Sequence, residues 1–228
     1  MPAVNLFPGY CIFDIAIMPC YNKFIDELAL QHIDYEPETL IVGSFEADLP
    51  GINTAEWFFG RTSESRFWDI LPRLYGEPSL VSAAADDWRQ FCRNNRIALT
   101  DIISSVDDAD PSKREHLKIL SGFSDKAIAY HFDDFDLVNI VSILQHRPSI
   151  KNVYFTRSIT EAFWRHLWNP VIQYCSRHQL HERRLLTPSV EEAAYNHNAY
   201  NNQHPEATIP LLDDYILMKW RHEWHPII

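Results

Sequence analysis

The sequence predicts an α/β fold, a three-layer sandwich in which helices cover both faces of a central, mostly parallel sheet of roughly four strands. Short apolar runs rich in β-branched residues alternate along the chain with segments of helical periodicity, and this alternation is typical of parallel sheets. The first of these runs, at residues 40–45, opens with the continuous apolar stretch Leu40-Ile41-Val42. Continuous apolar runs indicate strands that are buried on both faces.

Four strands are predicted, and the loops that follow them are the expected functional region. The predicted strands are residues 40–45, 97–103, 151–155 and 184–186. The loops after them are residues 43–64, 104–111, 156–157 and 187–202. Ligands of open α/β sheets bind where such loops leave the carboxyl ends of the strands. Asp101 lies within the second strand, and we expect it near the strand end, where its carboxyl group can be hydrogen-bonded.

Helical periodicity predicts the covering layers. Helices are predicted over residues 65–75, 82–95 and 211–224, and one or two more within residues 112–146. A further helix begins with a capping box at Ser158 and Glu161 and is interrupted at Pro170. Residues 22–30 carry a weaker helical pattern, and residues 10–18 could add a strand. Residues 190–202 are polar and rich in Asn, without a clear period, and are predicted to be a loop.

Composition and cysteine usage limit the class of protein. The chain has 228 residues, of which 46% are hydrophobic, with no internal repeat or flexible linker, so we expect one domain over residues 1–228 with residues 1–38 as an N-terminal extension. No apolar run is long enough to span a membrane, and no basic segment precedes the apolar residues 11–20, so no signal peptide is predicted. The four cysteines lack metal-binding spacing. We therefore expect a cytoplasmic protein with no metal and no cofactor; the oligomeric state is not indicated.

Charge is distributed unevenly. The net charge is −11, and the acidic excess lies entirely within residues 1–110. This balance argues against a protein that holds nucleic acid by bulk electrostatics. Residues 177–184 form the densest basic cluster, which fits either a local basic rim or a solvated helix end.

An ordered series of motifs resembles the uracil-DNA glycosylase superfamily. The series comprises Gly43-Ser44-Phe45 after the first strand, the aromatic pair Phe58-Phe59, Arg66-Phe67-Trp68, the run NNRIALTD at residues 94–101, Leu186-Thr187-Pro188-Ser189, and the closing helix at residues 215–221. It covers residues 32–224 and is most similar to the hypoxanthine (deoxyinosine) and mismatch-type branch. The resemblance implies a uracil-DNA glycosylase-like sandwich that removes a deaminated or mismatched base, uracil or hypoxanthine, from DNA.

The chain departs from the pattern of that branch at several places. Glu46 replaces a Pro of the first motif, and Ser65 replaces an Asn that the branch is expected to use in catalysis. Val190 replaces the second Pro of the later motif, and residues 112–136 form a longer segment than usual. These departures bear on activity more than on fold.

The resemblance assigns candidate roles in hydrolysis of an N-glycosidic bond. Base-binding candidates are Gly43, Ser44, Phe45 and Phe59, with Phe59 as the stacking ring and main-chain amides as donors to the base. Candidates for positioning or deprotonating the water are Glu46, Asp48 and Ser65. Core packing is the alternative for Phe59, solvated carboxylates for Glu46 and Asp48, and helix capping for Ser65.

The later motif is the candidate contact with the DNA backbone. Thr187, Pro188 and Ser189 could hold the phosphate beside an extruded nucleotide, with positive charge from Arg183, Arg184 and Arg157. A plain strand-to-helix turn explains Pro188-Ser189 equally well. Two other functions stay open: a protein of this fold that lacks catalysis and binds nucleic acid, nucleotide or a protein partner, and an unrelated α/β enzyme acting on a small molecule.

Overall fold

A computed structural model describes residues 18–224 of the chain. Its strands, in chain order, are β1 (Cys20–Tyr21), β2 (Thr39–Gly43), β3 (Ile97–Asp101), β4 (Ile103–Val106), β5 (Phe135–Leu137), β6 (Asn152–Phe155) and β7 (His181–Arg184). Its α-helices are α1 (Phe67–Leu74), α2 (Ala85–Asn94), α3 (Arg114–Leu120), α4 (Asp125–His131), α5 (Ile140–His146), α6 (Ala162–His178), α7 (Val190–Gln203) and α8 (Leu212–Glu223). The predicted strand at residues 10–18 lies outside the described residues except for Met18.

A four-stranded parallel sheet forms the centre, in the order β3-β2-β6-β7. Gly43 pairs with Asp101, Val42 with Phe155, and Phe155 with Arg184. Because the strands are parallel, their last residues lie along one edge, which we call the carboxyl edge. The predicted α/β class, with a parallel sheet flanked by helices, is confirmed.

The central strand supplies side chains to two separate cores. Leu40 and Val42 pack in a first core with residues of α5 and α6, whereas Ile41 packs in a second core with residues of α1, α2 and α8. Successive side chains of a strand point to opposite faces of the sheet. A strand covered by helices on both faces therefore needs the continuous apolar sequence that β2 has.

The strand predicted over residues 97–103 divides into two. β3 ends at Asp101, and β4 enters a small antiparallel sheet of order β1-β4-β5. At the junction, the Ile102 and Ile103 amides donate to the carbonyl oxygens of Gly43 and Ser44, both at 3.1 Å. Both isoleucines are buried, so the sequence shows no polar interruption where the chain changes sheet.

Several helices and one strand differ from the prediction in extent or number. Residues 112–146 form three helices and a strand rather than one or two helices, and residues 22–30 contain only a three-residue 3-10 helix, Ile25–Glu27. The last strand, β7, lies earlier than residues 184–186, because its register against β6 begins at His181 opposite Asn152.

The prediction for α6 was wrong at both its start and its middle. The helix begins at Ala162, after Glu161, and the Ser158 hydroxyl accepts the Thr160 amide at 3.3 Å rather than capping the helix. The helix also continues through Pro170, which costs one main-chain hydrogen bond. Burial of Trp168 and Val171 on either side of this proline keeps the helix in place.

The polar segment predicted as a loop at residues 190–202 is helix α7. Ala193 and His197, four residues apart, are its buried positions. The His197 Nε2 atom lies 2.6 Å from the Ile209 carbonyl oxygen, and its ring stacks on Tyr215 of α8. A helix held by polar tertiary contacts has little hydrophobic periodicity, so sequence reasoning missed it. No helix within residues 18–224 combines the length and apolar character needed to cross a membrane.

Candidate functional site

Gly43 and Asp101 lie in direct contact at the carboxyl edge. A Cβ atom on Gly43 would stand 2.1 Å from Asp101 Oδ1 and 3.2 Å from the tip of the Phe59 ring. The other carboxyl oxygen, Oδ2, accepts a hydrogen bond from Asn22 Nδ2 at 2.8 Å. Only glycine leaves room for this carboxyl group, which explains the residue at the end of β2.

The Asp101 carboxyl group is buried and has a perturbed acidity. Burial raises the pKa of Asp101 to about 7, and nearby Glu46 and Asp125 add to the rise, while the Asn22 hydrogen bond opposes it. A buried carboxyl group at this pKa exists in both protonation states near neutral pH, so it can either donate or accept a hydrogen bond. The expectation that Asp101 lies at a strand end beside Gly43 is confirmed.

Phe59 covers this position from the first loop. Its φ is +57°, a left-handed conformation that non-glycine residues rarely adopt. Its ring is partly exposed and stacks on Phe67, with ring centroids 3.9 Å apart and planes 6° apart. One face of the ring is thus committed to Phe67, and the ring tip lies over Gly43. Core packing accounts for part of this placement, and Phe59 stays the candidate stacking ring.

Glu46 is buried in the loop after β2, close enough to Asp101 to affect its acidity. Its Oε1 accepts hydrogen bonds from Arg61 Nε at 2.7 Å and from Asn53 Nδ2 at 2.9 Å. Burial raises the pKa of Glu46, whereas the Arg61 guanidinium and the Asn53 amide oppose this rise. Raised pKa values in a cleft are typical of groups that transfer protons. Asn53 thus positions Glu46.

The other candidates of the first loop are placed differently. Asp48 is exposed, and its amide donates to the Tyr21 carbonyl oxygen at 2.9 Å, on the side of β1. The Phe45 side chain is buried in the first core, which leaves its main chain for contact with a ligand. The Ser65 hydroxyl accepts the Phe67 amide at 3.3 Å, but the N-cap residue of α1 is Arg66 and no side chain caps the helix, so the capping alternative for Ser65 was wrong.

The loop after β2 and the loop after β7, which carry the first and the later sequence motif and which we call the signature loops, are joined through their main chains. Ser65 and Ser189 form an isolated antiparallel bridge. The Arg66 amide donates to the Pro188 carbonyl oxygen, and the Val190 amide donates to the Glu64 carbonyl oxygen, both at 2.8 Å. The loop after β2 and the loop after β7 therefore form one continuous wall at the carboxyl edge, a pairing that neither motif predicts alone.

A third carboxyl group, that of Asp125, reaches the carboxyl edge from α4. Asp125 accepts hydrogen bonds from Ser44 Oγ and from Arg157 Nη1, each at 2.7 Å. The Arg157 side chain is only 5% exposed and also faces Glu161 at 3.5 Å and Glu192 at 3.8 Å. Sequence reasoning missed Asp125, because no spacing or motif links the long segment that carries it to the first loop.

A cavity of about 510 Å³ opens next to this edge, between the loop after β6, the end of β7 and α7. Its lining residues are Ser158, Ile159, Thr160, Arg165, Arg184, Leu185, Leu186, Thr187, Glu192 and Asn196. Of the predicted DNA contacts, Arg184 and Thr187 lie here, although Arg184 also pairs with Glu182 at 2.8 Å. Arg183 pairs instead with Glu223 at 3.6 Å, outside the lining.

No group of three or more His, Cys, Asp or Glu side chains within residues 18–224 is arranged to hold a metal ion. The carboxyl edge presents carboxyl groups, guanidinium groups, hydroxyl groups and main-chain amides. Such groups can transfer a proton, position a water molecule and hold an anion.

Comparison with family models finds no match, and comparison with curated proteins finds none either. Among solved structures, the chain is similar to the solution NMR structure of a protein from Methanosarcina acetivorans that has been proposed to be a uracil DNA glycosylase. The TM-score is 0.49 and the sequence identity 14%, over 85% of this chain and 94% of the other. A match at this level assigns neither a family nor an activity to this chain.

Proposed function

We propose that this protein is a DNA glycosylase that hydrolyses the N-glycosidic bond of a deaminated or mismatched base, uracil or hypoxanthine, after the base is flipped out of DNA. The observation that carries the proposal is the placement of two buried carboxyl groups, Glu46 and Asp101, around the glycine that ends the central strand. Burial raises the pKa of both groups, and the nearby Glu46 carboxylate raises that of Asp101 further. The ordered sequence motifs support the same function.

The base would lie against Gly43 and Phe59. Glycine lets the main chain approach the ligand closely, and the Phe59 ring offers an aromatic surface for stacking, which is worth about 1–3 kcal/mol per base. A protonated Asp101 would donate a hydrogen bond to a base carbonyl oxygen. The amides of Phe45 and Glu46 would donate to the same edge of the base, as would the Ser44 amide.

Glu46 is the proposed general base. Its carboxylate would take a proton from a water molecule as the water oxygen bonds to C1′ of the sugar. The C1′–N bond breaks, and its electron pair leaves with the base, where amide donors stabilise the negative charge. Arg61 and Asn53 would hold the carboxylate in place. Asp48 and Ser65 are the weaker candidates for this step, because Asp48 is exposed and the Ser65 hydroxyl already accepts the Phe67 amide.

The wall formed by the two signature loops would hold the DNA strand. Thr187, Pro188 and Ser189 would contact the phosphate beside the extruded nucleotide, and Arg184 would supply positive charge from the neighbouring cavity. Arg183 would contribute charge farther along the rim.

Binding without catalysis is the second candidate function. One observation favours it: Ser65, which replaces the Asn of the branch, pairs with Ser189 through its main chain and accepts the Phe67 amide. A serine in this arrangement does not reproduce an Asn amide as both donor and acceptor. The protein would then bind a nucleic acid, a nucleotide or a protein partner at the same edge.

A glycosylase assay distinguishes these functions. Oligonucleotides that carry uracil, hypoxanthine, xanthine or a G·T mismatch, single- or double-stranded, are incubated with excess protein, and alkali cleaves the abasic sites. The matched variants are Glu46→Gln, Asp48→Asn and Phe59→Ala. We expect cleavage by the wild type and by Asp48→Asn, and strong loss in Glu46→Gln and Phe59→Ala. Absence of wild-type cleavage on every substrate would contradict catalysis, and tight binding without cleavage would favour the second function.

A further inference from the structure

Asp125 is bound at the carboxyl edge in the way that a protein binds an oxyanion. Its Oδ1 accepts the Ser44 hydroxyl and its Oδ2 accepts the Arg157 guanidinium, each at 2.7 Å. The donors come from two different loops, after β2 and after β6, and Asp125 comes from a third segment of the chain. A hydroxyl group and a guanidinium group that converge on two oxygens of one anion form a typical receptor for carboxylate or phosphate.

The Arg157 donor is held in place by the fold and not by Asp125 alone. The Arg157 side chain is 5% exposed, and its guanidinium lies 4.5 Å from the centroid of the Trp164 ring, which fixes its plane. Its Nε atom has no hydrogen-bond partner among residues 18–224. Ser44 directly follows Gly43, the proposed base contact, so the receptor adjoins the proposed position of the flipped nucleotide.

We propose that Ser44 and Arg157 form a binding site for one phosphodiester group of a DNA strand, and that Asp125 occupies this site until the strand displaces it. The proposal rests on the proposed function, since it places a strand at this edge. A phosphodiester and a carboxylate each carry one negative charge and present two oxygens. In the contact with Arg157, the phosphodiester would therefore replace one negative charge by another, although Glu161 and Glu192 also face the guanidinium.

Displacement of Asp125 needs only a local movement. Its side chain is 22% exposed, so water already reaches it. The helix that carries it, α4, is anchored separately, because Ile128 and Phe132 are buried in the first core. Rotation of the Asp125 side chain would free both donors while α4 stays in place. Until then, Asp125 competes with the strand, which weakens the apparent affinity of the free protein for DNA.

The test measures binding of a short fluorescent oligonucleotide with no damaged base, by fluorescence anisotropy, with the full chain. Variants are Asp125→Asn and Asp125→Ser, and the matched control is Asp134→Asn, which removes an exposed carboxylate from the loop between α4 and β5. We expect the Asp125 variants to lower Kd by about tenfold, or roughly 1.4 kcal/mol, and the control to change it by less than about twofold. Adding Ser44→Ala to Asp125→Asn should reverse most of the gain.

Three outcomes would overturn the proposal: Asp125 variants that bind no better than Asp134→Asn, a gain in affinity that survives Ser44→Ala, or loss of folding in both Asp125 variants, which would make Asp125 structural rather than exchangeable.

Competition with inorganic phosphate distinguishes a site for a DNA strand from a site for the free phosphate ion. Displacement of the oligonucleotide only by a large excess of phosphate supports the strand, whereas displacement at comparable concentrations assigns the site to free phosphate. Because the oligonucleotide carries no base to excise, failure of the glycosylase reaction does not affect this test.

Discussion

The acidity of Asp101 predicts how the stability of this protein depends on pH. The change to make is Asp101→Asn, which keeps the shape of the side chain and can still accept the Asn22 hydrogen bond but cannot ionise. Ionised Asp101 is buried beside Gly43 in the field of Glu46 and Asp125. Its charged form is therefore less stable in the folded protein than in the unfolded chain.

The size and sign of the effect follow from the two pKa values. The pKa of Asp101 is about 7 in the folded protein, against an ordinary value of 3.8. Because folding raises this pKa, protonated Asp101 makes its full contribution to the free energy of unfolding below about pH 4. This contribution is lost as the pH rises to about 7. Each pH unit in this window lowers the free energy of unfolding by about 1.4 kcal/mol, and the whole window by about 4 kcal/mol.

The measurement is urea unfolding of wild type and Asp101→Asn, followed by tryptophan fluorescence at a series of pH values. The free energy of unfolding of the variant, relative to wild type, should increase by about 3 kcal/mol between pH 5 and pH 7.5. Asp48→Asn, which removes an exposed carboxyl group, should stay within about 0.5 kcal/mol of wild type throughout. Parallel pH curves for wild type and Asp101→Asn would falsify the assignment of a raised pKa to Asp101.

Three further predictions test the edge and the first core. Gly43→Ala should lower the free energy of unfolding, measured in urea, by about 3 kcal/mol, because its Cβ would stand 2.1 Å from a carboxyl oxygen of Asp101. The control Gly122→Ala should change this free energy by less than about 1 kcal/mol. Glu46→Gln should lower single-turnover base excision by about 10²–10⁴-fold and abolish its rise with pH, while Asp48→Asn should leave both unchanged. Trp168→Phe should cost about 2–4 kcal/mol in the same unfolding assay, because its indole donates at 2.7 Å to a buried glutamate. If Gly43→Ala or Trp168→Phe lowered the free energy of unfolding by less than Gly122→Ala does, that result would contradict the prediction for the variant concerned.

The fold was predictable where one type of periodicity dominated. The apolar run of β2 and the amphipathic patterns of α1 and α2 correspond to observed elements at nearly the predicted bounds. Burial on one face or both faces determines these patterns, and they are therefore local properties of the sequence.

Where tertiary contacts determined the element, the prediction failed. Helix α7 lacks an apolar stripe and depends on contacts of His197 with Ile209 and Tyr215. The separation of β3 from β4 depends on two amides that donate to the carbonyl oxygens of Gly43 and Ser44. Neither arrangement has a signal within a short window of sequence.

The candidate site was predictable in part. Gly43 and Phe59 come from one motif, and the structure brings the Phe59 ring tip over Gly43. The contact between Asp125 and Ser44 spans 81 residues and depends on how α4 packs. Motifs locate residues that are close in sequence, whereas a receptor made from three segments requires the fold.

The charges at the carboxyl edge limit how DNA could be held there. Arg61, Arg157 and Arg184 each form an ion pair with a carboxylate, at 2.7, 2.7 and 2.8 Å, so little net positive charge faces solvent from them. The net charge of the chain is −11. A protein that attracts DNA by bulk electrostatics needs uncompensated Lys and Arg along the strand. Binding at this edge would therefore draw its free energy from stacking on an extruded base and from exchange of an internal carboxylate for a phosphodiester, both of which act only after the strand has entered the site.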